Sequence, residues 1–468
     1  MAQSLIEKTP LWLDIRKVFS SGKKPINFEY RGMLHTEKED IPILKIISID
    51  IVRDYINNIG DHIHLEFKMP LGDYMTKLYP YRTNLEFSIK KIQLFETGST
   101  TDIKEPISIE RFKAVFLPNE NQVPTASELE MHNEQTLNRS NILDVKLQLL
   151  NRSLEPIRIK TVSGVFRQTN HKQLLNSLIA GESNKILVDG KPAIDGVDVV
   201  EPDNISTIQN IVIKDGTHIT ELATHIQDKV GGIYRGGIGN YLQTYKSKKL
   251  WFVYPIYDIT RFKNDRERAI IYSIPTEQYP VLDRTYSQEA NIITILANGE
   301  KKYTDSADTD YMNHGSGFRM PNANSFMKKP VAITEQGSQS NRARLNYETI
   351  IASRQDGLNY APMVDSASSN PYKEYSKVIG RSLSRIDLVW QNGNPDLIYP
   401  GMPCKYIYLD RDKIVELQGI IVFLHSYTAI QGQGINQNSY KTQCQLTILA
   451  EKANKASEIP TYISPGVF

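Results

Sequence analysis

Residues 61–94, DHIHLEFKMPLGDYMTKLYPYRTNLEFSIKKIQL, hold the clearest alternation in the chain. Ile63, Leu65, Phe67 and Met69 alternate with His62, His64, Glu66 and Lys68; Leu85, Phe87 and Ile89 alternate with Glu86, Ser88 and Lys90. Strand side chains point to opposite faces in turn, so each run can bury one face and wet the other. Between the runs, Pro70 and Pro80 bracket a stretch in which Leu71, Tyr74, Met75 and Leu78 fall at helical spacing. Proline lacks the amide hydrogen that a ladder needs, so both strands end there. The pattern predicts two half-buried strands joined by a helical plug, a unit suited to closing a small β-barrel.

Further runs of this texture extend from residue 25 to about 166, with strands expected at 26–30, 44–55, 62–69, 85–95, 111–117, 142–150 and 157–166. Asn57, Asn58, Gly60 and Asp61 form a turn cluster, because Asn and Gly tolerate left-handed backbone angles. The stretch 118–141 is polar and without a period, so it reads as a long loop or arm. Short strands separated by turn signals indicate a barrel or sandwich. Ahead of this block, residues 1–24 form a short amphipathic arm carrying Leu11, Leu13, Ile15, Val18 and Phe19.

The texture then changes. HKQLLNSLIA at 171–180 reads as a helix, and 219–230 as another with a stripe of Leu222, Ile226 and Val230. The strongly apolar run LWFVYPIYDI at 250–259 reads as a strand, giving a small α+β domain over 167–290. Residues 301–377 are poor in aliphatics and rich in Ser, Asn, Asp and Tyr, and such a stretch cannot bury enough surface to pack alone. The span 291–380 is therefore a polar extended or linker segment. Strands return at 385–390, 405–409, 414–425 and 441–449, forming a second small barrel within 381–450, and 451–468 is a tail. The expected fold is thus a β-rich α+β chain with two small β-barrels, an inserted α+β domain and a polar extended segment.

At 468 residues the chain is too long for one core, and about 100–200 residues per domain gives two to four. The formal net charge of +2 exerts no strong pull toward nucleic acid or acidic membranes. Cys404 and Cys444 lie in apolar, strand-like surroundings and read as buried free thiols. The opening MAQSLIEKTPLWLDIRK lacks the form of a secretory signal, and no run approaches the ~20 apolar residues that span a bilayer. The expectation is a protein soluble when made, for which the Asn-x-Ser tripeptides at Asn138, Asn151 and Asn204 carry little weight. The 25 tyrosines suit half-buried sheet faces and subunit contacts, with a flat apolar face and a polar tip.

Candidate chemistry is sparse. The glycines Gly231, Gly232, Gly236, Gly237 and Gly239 follow a helix and precede a strand, the reverse of a phosphate cradle, and Gly231 fits a helix C-cap. His62 and His64 share a strand face at a spacing that can seat a metal, but the third ligand must come from elsewhere; a solvated face is the plainer reading. His218, His225, His314 and His425 are isolated. Asp305, Asp308 and Asp310 miss the calcium-loop spacing, and His314-Gly315-Ser316-Gly317 lacks the nucleophile elbow. No catalytic, cofactor-binding or metal residue is assigned, and the chain does not read as an enzyme.

The order of parts, and two segments in particular, resemble a known family. HIHLEFKMPLGDYMTKLYPYRTNLEFSI in the first barrel is followed by the insertion with LWFVYPIYDI. The second barrel then carries IYPGMPCKYIYLDRDKIVELQGIIVFLHSYTAI. This is similar to the central baseplate hub proteins of contractile-tailed bacteriophages and to the hub part of type VI secretion spikes. The resemblance covers most of 25–290 and 380–450; residues 301–377 have no counterpart in it. It implies a structural virion protein of the tail baseplate, made in the host cytoplasm, without cofactors. A homotrimer would present six barrels in a ring, matching a six-fold tail tube to a three-fold central spike. Baseplate wedge proteins and the tape measure would be neighbours, DNA a passing cargo, and no membrane is involved. Ring candidates are the runs 63–69, 85–89 and 414–425, with strands continuing the tube's sheet by edge pairing, around a lumen that is not strongly basic. The alternatives are a tail wedge or adaptor protein, or a hub with cell-wall-degrading activity in 167–290.

Overall fold

The structure is a computed structural model that describes residues 27–94, 107–117, 142–263, 267–274, 285–298, 317–321, 348–352, 383–410, 413–430 and 440–451, with a few isolated positions. Most of the arm 1–24, the loop 118–141, most of 301–377 and the tail from 452 lie outside these residues. The first strands are β1 (Asn27–His35), β2 (Asp40–Pro42), β3 (Lys45–Asp54), β4 (His62–Pro70), β5 (Leu85–Leu94), β6 (Ser108–Phe116), β7 (Ile142–Asn151) and β8 (Thr161–Thr169). Next come β9 (Leu187–Val188), β10 (Lys191–Pro192), β11 (Gly196–Val199), β12 (Ile208–His218), β13 (Gly239–Tyr245), β14 (Lys248–Tyr254), β15 (Arg268–Ile274), β16 (Tyr286–Glu289) and β17 (Ile292–Asn298). The last are β18 (Gly317–Pro321), β19 (Glu348–Ala352), β20 (Ser384–Gln391), β21 (Pro403–Asp410), β22 (Lys413–Ile430) and β23 (Tyr440–Ala450). The main helices are α1 (Leu154–Arg158), α2 (His171–Asn184) and α3 (Leu222–Lys229).

The chain is mostly β. Twelve strands close a path in the order β15, β21, β22, β3, β4, β7, β6, β5, β1, β23, β20 and β17, with β17 pairing back to β15. The alternation in β4 and β5 works as expected: Ile63, Leu65, Phe67, Met69, Leu85 and Phe87 are buried together, and the rings of Phe67 and Phe87 lie 5.5 Å apart. The segment 71–81 between them coils as short α, π and 3-10 turns that bury Tyr74 and Leu78 against the same cluster. Strands β15 and β17, from the ends of the expected insertion and linker, run parallel to each other within this sheet.

A ladder between β22 and β23 bridges the closed path. The first part of β22 pairs with β21, and its last part, from Phe423, pairs with β3. The register against β23 slips between Ile421 and Phe423. Such a bulge bends and twists the strand, carrying it from one half of the path into the other. Separate hydrophobic clusters fill the two halves. One gathers Leu34, Phe67, Phe87 and Leu147; the other gathers Ile271, Ile295, Trp390, Tyr406 and Ile448. The path closes through two narrow seams, Phe28 opposite Tyr440 and Asn298 opposite Val389.

A third cluster holds the smaller α+β unit: Leu174, Leu175 and Ile179 of α2, Leu222 and Ile226 of α3, and Trp251 and Val253 of β14. Asn170 caps α2 by accepting the Gln173 amide at 2.8 Å. Strand β8, expected with the first β block, pairs instead with β12, because Val162 faces this third cluster. Strand β14 is buried on both faces: Trp251 and Val253 face the helices, whereas Phe252 and Tyr254 pack into the Trp390 cluster. Two-sided burial explains its unbroken apolar run.

Candidate functional site at the junction

Strands that bury alternate residues carry their inward phase to the end of the sheet, whatever residue stands there. In β3 the phase of Ile49 and Ile51 leads to Arg53; in β5 the phase of Phe87 and Ile89 leads to Lys91; in β6 the phase of Phe112 leads back to Glu110. Three ionisable side chains thereby meet at one mouth of the first half. The turn between β20 and β21 enters the same mouth from the second half. Asn394 caps a short helical turn, Pro395–Leu397, by accepting the Asp396 amide. At Gly393 a Cβ would lie 2.6 Å from the Trp390 ring and 2.9 Å from Cys444 Sγ, so the close passage of this turn requires glycine.

The contacts form one network. Lys91 Nζ donates to Asp396 Oδ2 at 2.6 Å and to Asn394 Oδ1 at 3.0 Å, and sits 4.1 Å from the centre of the Phe28 ring. Arg53 donates to Asp61 Oδ2 at 3.1 Å and to the Pro395 carbonyl at 2.8 Å, with Asp396 3.8 Å away. Tyr241 of β13 donates to the other oxygen of Asp61 at 2.9 Å. Tyr254 donates to the Tyr55 carbonyl at 2.6 Å, and Gln243 donates to the Ile398 carbonyl at 2.8 Å. The closed path, the inserted unit and the β20–β21 turn are thus tied at one place.

Burial works to discharge Lys91, but the Asp396 carboxylate outweighs it and holds the ammonium above its ordinary range. The same opposition holds the Asp396 carboxyl below its range: burial favours the proton, and Lys91 and Arg53 prevail. Glu110 behaves differently. Burial, followed by the Asp396 and Asp61 charges, pushes it up to about 7. The arrangement is a charge clamp; among the described residues no group of three or more His, Cys, Asp or Glu is placed to hold a metal ion.

The residues that drew attention in the sequence lie elsewhere. His62 and His64 are exposed on the outer face of β4. His64 stands opposite Asp50 of β3, whose carboxylate is engaged by His425 Nε2 at 2.6 Å. The glycine cluster caps α3, with Gly231 at φ +79°. Its loop is pinned by Gln227, which accepts from the Ile233 and Tyr234 amides at 2.8 and 3.0 Å and donates to the Tyr234 carbonyl at 2.8 Å. Those amides are therefore occupied. Cys404 and Cys444 are buried and free. His314, Asp305, Asp308 and Asp310 fall outside the described residues. In the sequence Asp61 shows only as a turn residue, and Arg53, Lys91, Glu110 and Asp396 do not stand out; the available signal was that Arg53, Lys91 and Glu110 stand in phase with buried positions.

No family model and no curated protein matches the sequence. Among solved structures, the chain is similar to the 43 kDa tail protein of prophage MuSo2 from Shewanella oneidensis, at 11% identity and a TM-score of 0.45 over 91% of this chain and 99% of that one. It is similar to the Francisella PdpA–VgrG complex at 11% identity and a TM-score of 0.39, covering 96% of this chain and 60% of that one. It is also similar to the phage P2 baseplate in its activated conformation with Ca, at 10% identity and a TM-score of 0.24, over 86% and 88%.

Proposed function

We propose that the chain is a structural baseplate hub, a homotrimer that joins the hexameric tail tube to the trimeric central spike of a phage tail. The bridged closed path carries this reading. The β22–β23 ladder divides the path into two hydrogen-bonded circuits. One runs through β22, β3, β4, β7, β6, β5, β1 and β23, and the other through β15, β21, β22, β23, β20 and β17. We take these as two small β-barrels in one protomer, each with its own core. Three copies would set six barrels around an axis, which is what an adaptor between three-fold and six-fold partners needs. The resemblance of the two barrel segments to hub proteins supports the same reading. The runs 63–69 and 85–89 turn their buried residues into the barrel core, so on this reading ring contacts fall to the outer faces of these strands.

Copy number in purified tails tests the proposal. Quantitative mass spectrometry should find three copies of this chain for each six-copy ring of tube protein, and averaged images of the tube's end should show a hollow ring of three-fold or apparent six-fold symmetry. Six copies per tail would fit a wedge or adaptor protein and sink the hub reading.

A further inference from the structure

The junction carries three carboxylates, Asp61, Glu110 and Asp396, against two cations, Arg53 and Lys91. Both cations are committed: Lys91 to Asp396 and Asn394, Arg53 to Asp61 and the Pro395 carbonyl. The β5–β6 register sets Glu110 opposite Ile89 and Ser108 opposite Lys91, so Glu110 lies on the same face as Lys91 as its diagonal neighbour; among the described residues Glu110 makes no hydrogen bond or ion pair. When it ionises, a third negative charge joins those of Asp396 and Asp61, and the two cations within reach, Lys91 and Arg53, already serve those carboxylates.

We propose that the junction is a proton-operated latch: a proton on Glu110 keeps the turn bearing Asn394 and Asp396 seated between Lys91 and Arg53, and loss of that proton loosens the seat. The inference stands apart from the hub reading, since it concerns only how the two halves of one chain are joined. The other groups facing the cluster come from β1 (Tyr30), β3 (Arg53 and, just beyond it, Tyr55), the turn before β4 (Asp61), β5 (Lys91), β13 (Tyr241), β16 (Tyr286), β23 (Cys444) and the turn itself (Asp396). Burial raises Tyr30, Tyr55, Tyr241 and Cys444, so they remain neutral through the neutral range. Asp396 lies below its ordinary range and stays charged there.

The sign is fixed. Glu110 holds its proton more tightly in the closed junction than in an open one, so closure is favoured most below the ordinary carboxylate range. That advantage is lost as pH rises toward about 7 and does not change further above it. A full shift of this size allows more than a hundredfold change in opening; because Glu110 is partly exposed, about tenfold is expected.

Hydrogen exchange of the full chain between pH 5 and 8, corrected for intrinsic rates, reads this opening directly. Protection of amides in 394–402 should fall about tenfold across pH 5 to 7.5 in the wild type and then level off. Glu110→Gln, which mimics the protonated acid, should be flat at the high-protection level. Asp61→Asn removes one of the carboxylates facing Glu110 and should move the wild-type midpoint to lower pH. A flat wild-type profile, an unaltered profile in Glu110→Gln, or an unmoved midpoint in Asp61→Asn would each overturn the latch.

Discussion

Replacing Arg53 by methionine tests the clamp most directly. The side chain is 5% exposed and donates to Asp61 and to the Pro395 carbonyl. Methionine keeps much of the volume and removes the charge, so the cost is chiefly that of leaving carboxylates behind. Breaking a fully buried pair costs about 3–5 kcal/mol. Here Asp61 keeps the Tyr241 hydroxyl and is 17% exposed, and Asp396 keeps Lys91 and is 47% exposed. Both can regain some water, which places the expected loss near the lower bound, about 3 kcal/mol. Three hydrophobic clusters need not unfold together, so one global melting curve would not isolate this loss. Local hydrogen exchange of residues 53–61 and 394–398 would isolate it, and about 3 kcal/mol corresponds to roughly a hundredfold rise in local opening. Adding Asp61→Asn removes the orphaned charge, and the double variant should recover about 1–2 kcal/mol relative to the sum of the single changes. A single-variant effect below about fivefold, or strict additivity, would refute the clamp.

Two further outcomes follow from the packing. Gly401 has φ +68°, and a Cβ there would stand 2.2 Å from the Tyr254 ring, whereas Gly190 has φ +74° with open space around it. Alanine at 190 should cost about 1 kcal/mol of backbone strain; alanine at 401 should cost several times more and release Tyr254 from the Tyr55 carbonyl, measured as a gain in local exchange. Similar effects at both sites would mean that Tyr254 is not packed as described. Burial raises the thiols of both cysteines, that of Cys444 to about 12. An aromatic disulfide reagent at pH 8 should therefore label neither cysteine in the native chain and both in denaturant; rapid native labelling would place at least one at the surface.

Much of the fold was legible because each strand's period of two reports a local fact, which residues face inward. That was enough for β4, β5 and the plug between them. The first part of α2, 171–180, and the glycine stop after α3 were legible for the same reason, since caps and stripes are local, whereas the run of α2 on to Asn184 was not. Pairing partners were not. Strand β22 is a single strand of 18 residues serving both halves of the path, and its sequence shows only the buried run Ile420, Ile421 and Val422, where the bulge interrupts alternation. Likewise, β8 carries a strand pattern that does not say it will meet β12. The charge cluster was the least legible part. Its members stand at 53, 61, 91, 110 and 396, and each alone reads as an ordinary polar position. Only the three-dimensional closure sets Asp396 against Lys91.

The location of that cluster has a structural logic. A closed path is only as firm as its seams, and here each seam has one bridging residue pair. Side chains supply what the backbone does not. At the first seam the Tyr30 and Tyr440 rings meet edge to face at 5.3 Å, Tyr440 is held in place by donating to the Ile46 carbonyl of β3 at 2.8 Å, and the Lys91 ammonium lies over Phe28. At the second, Thr285 donates to the Gln391 carbonyl at 2.5 Å and accepts from the Trp390 indole at 3.2 Å, with the Tyr286 and Trp390 rings 5.6 Å apart. Lys91 belongs to both regions: it covers Phe28 at the first seam and grips the turn that leaves β20 beside the second. Apolar contacts alone would hold that turn loosely along the strands, because the hydrophobic effect has no direction. The charged contacts fix its position against β3 and β5 at once. A change of charge at this point therefore acts on the two weakest closures of the sheet together, whereas the same change on an outer face, such as that of His62 and His64, would act on neither.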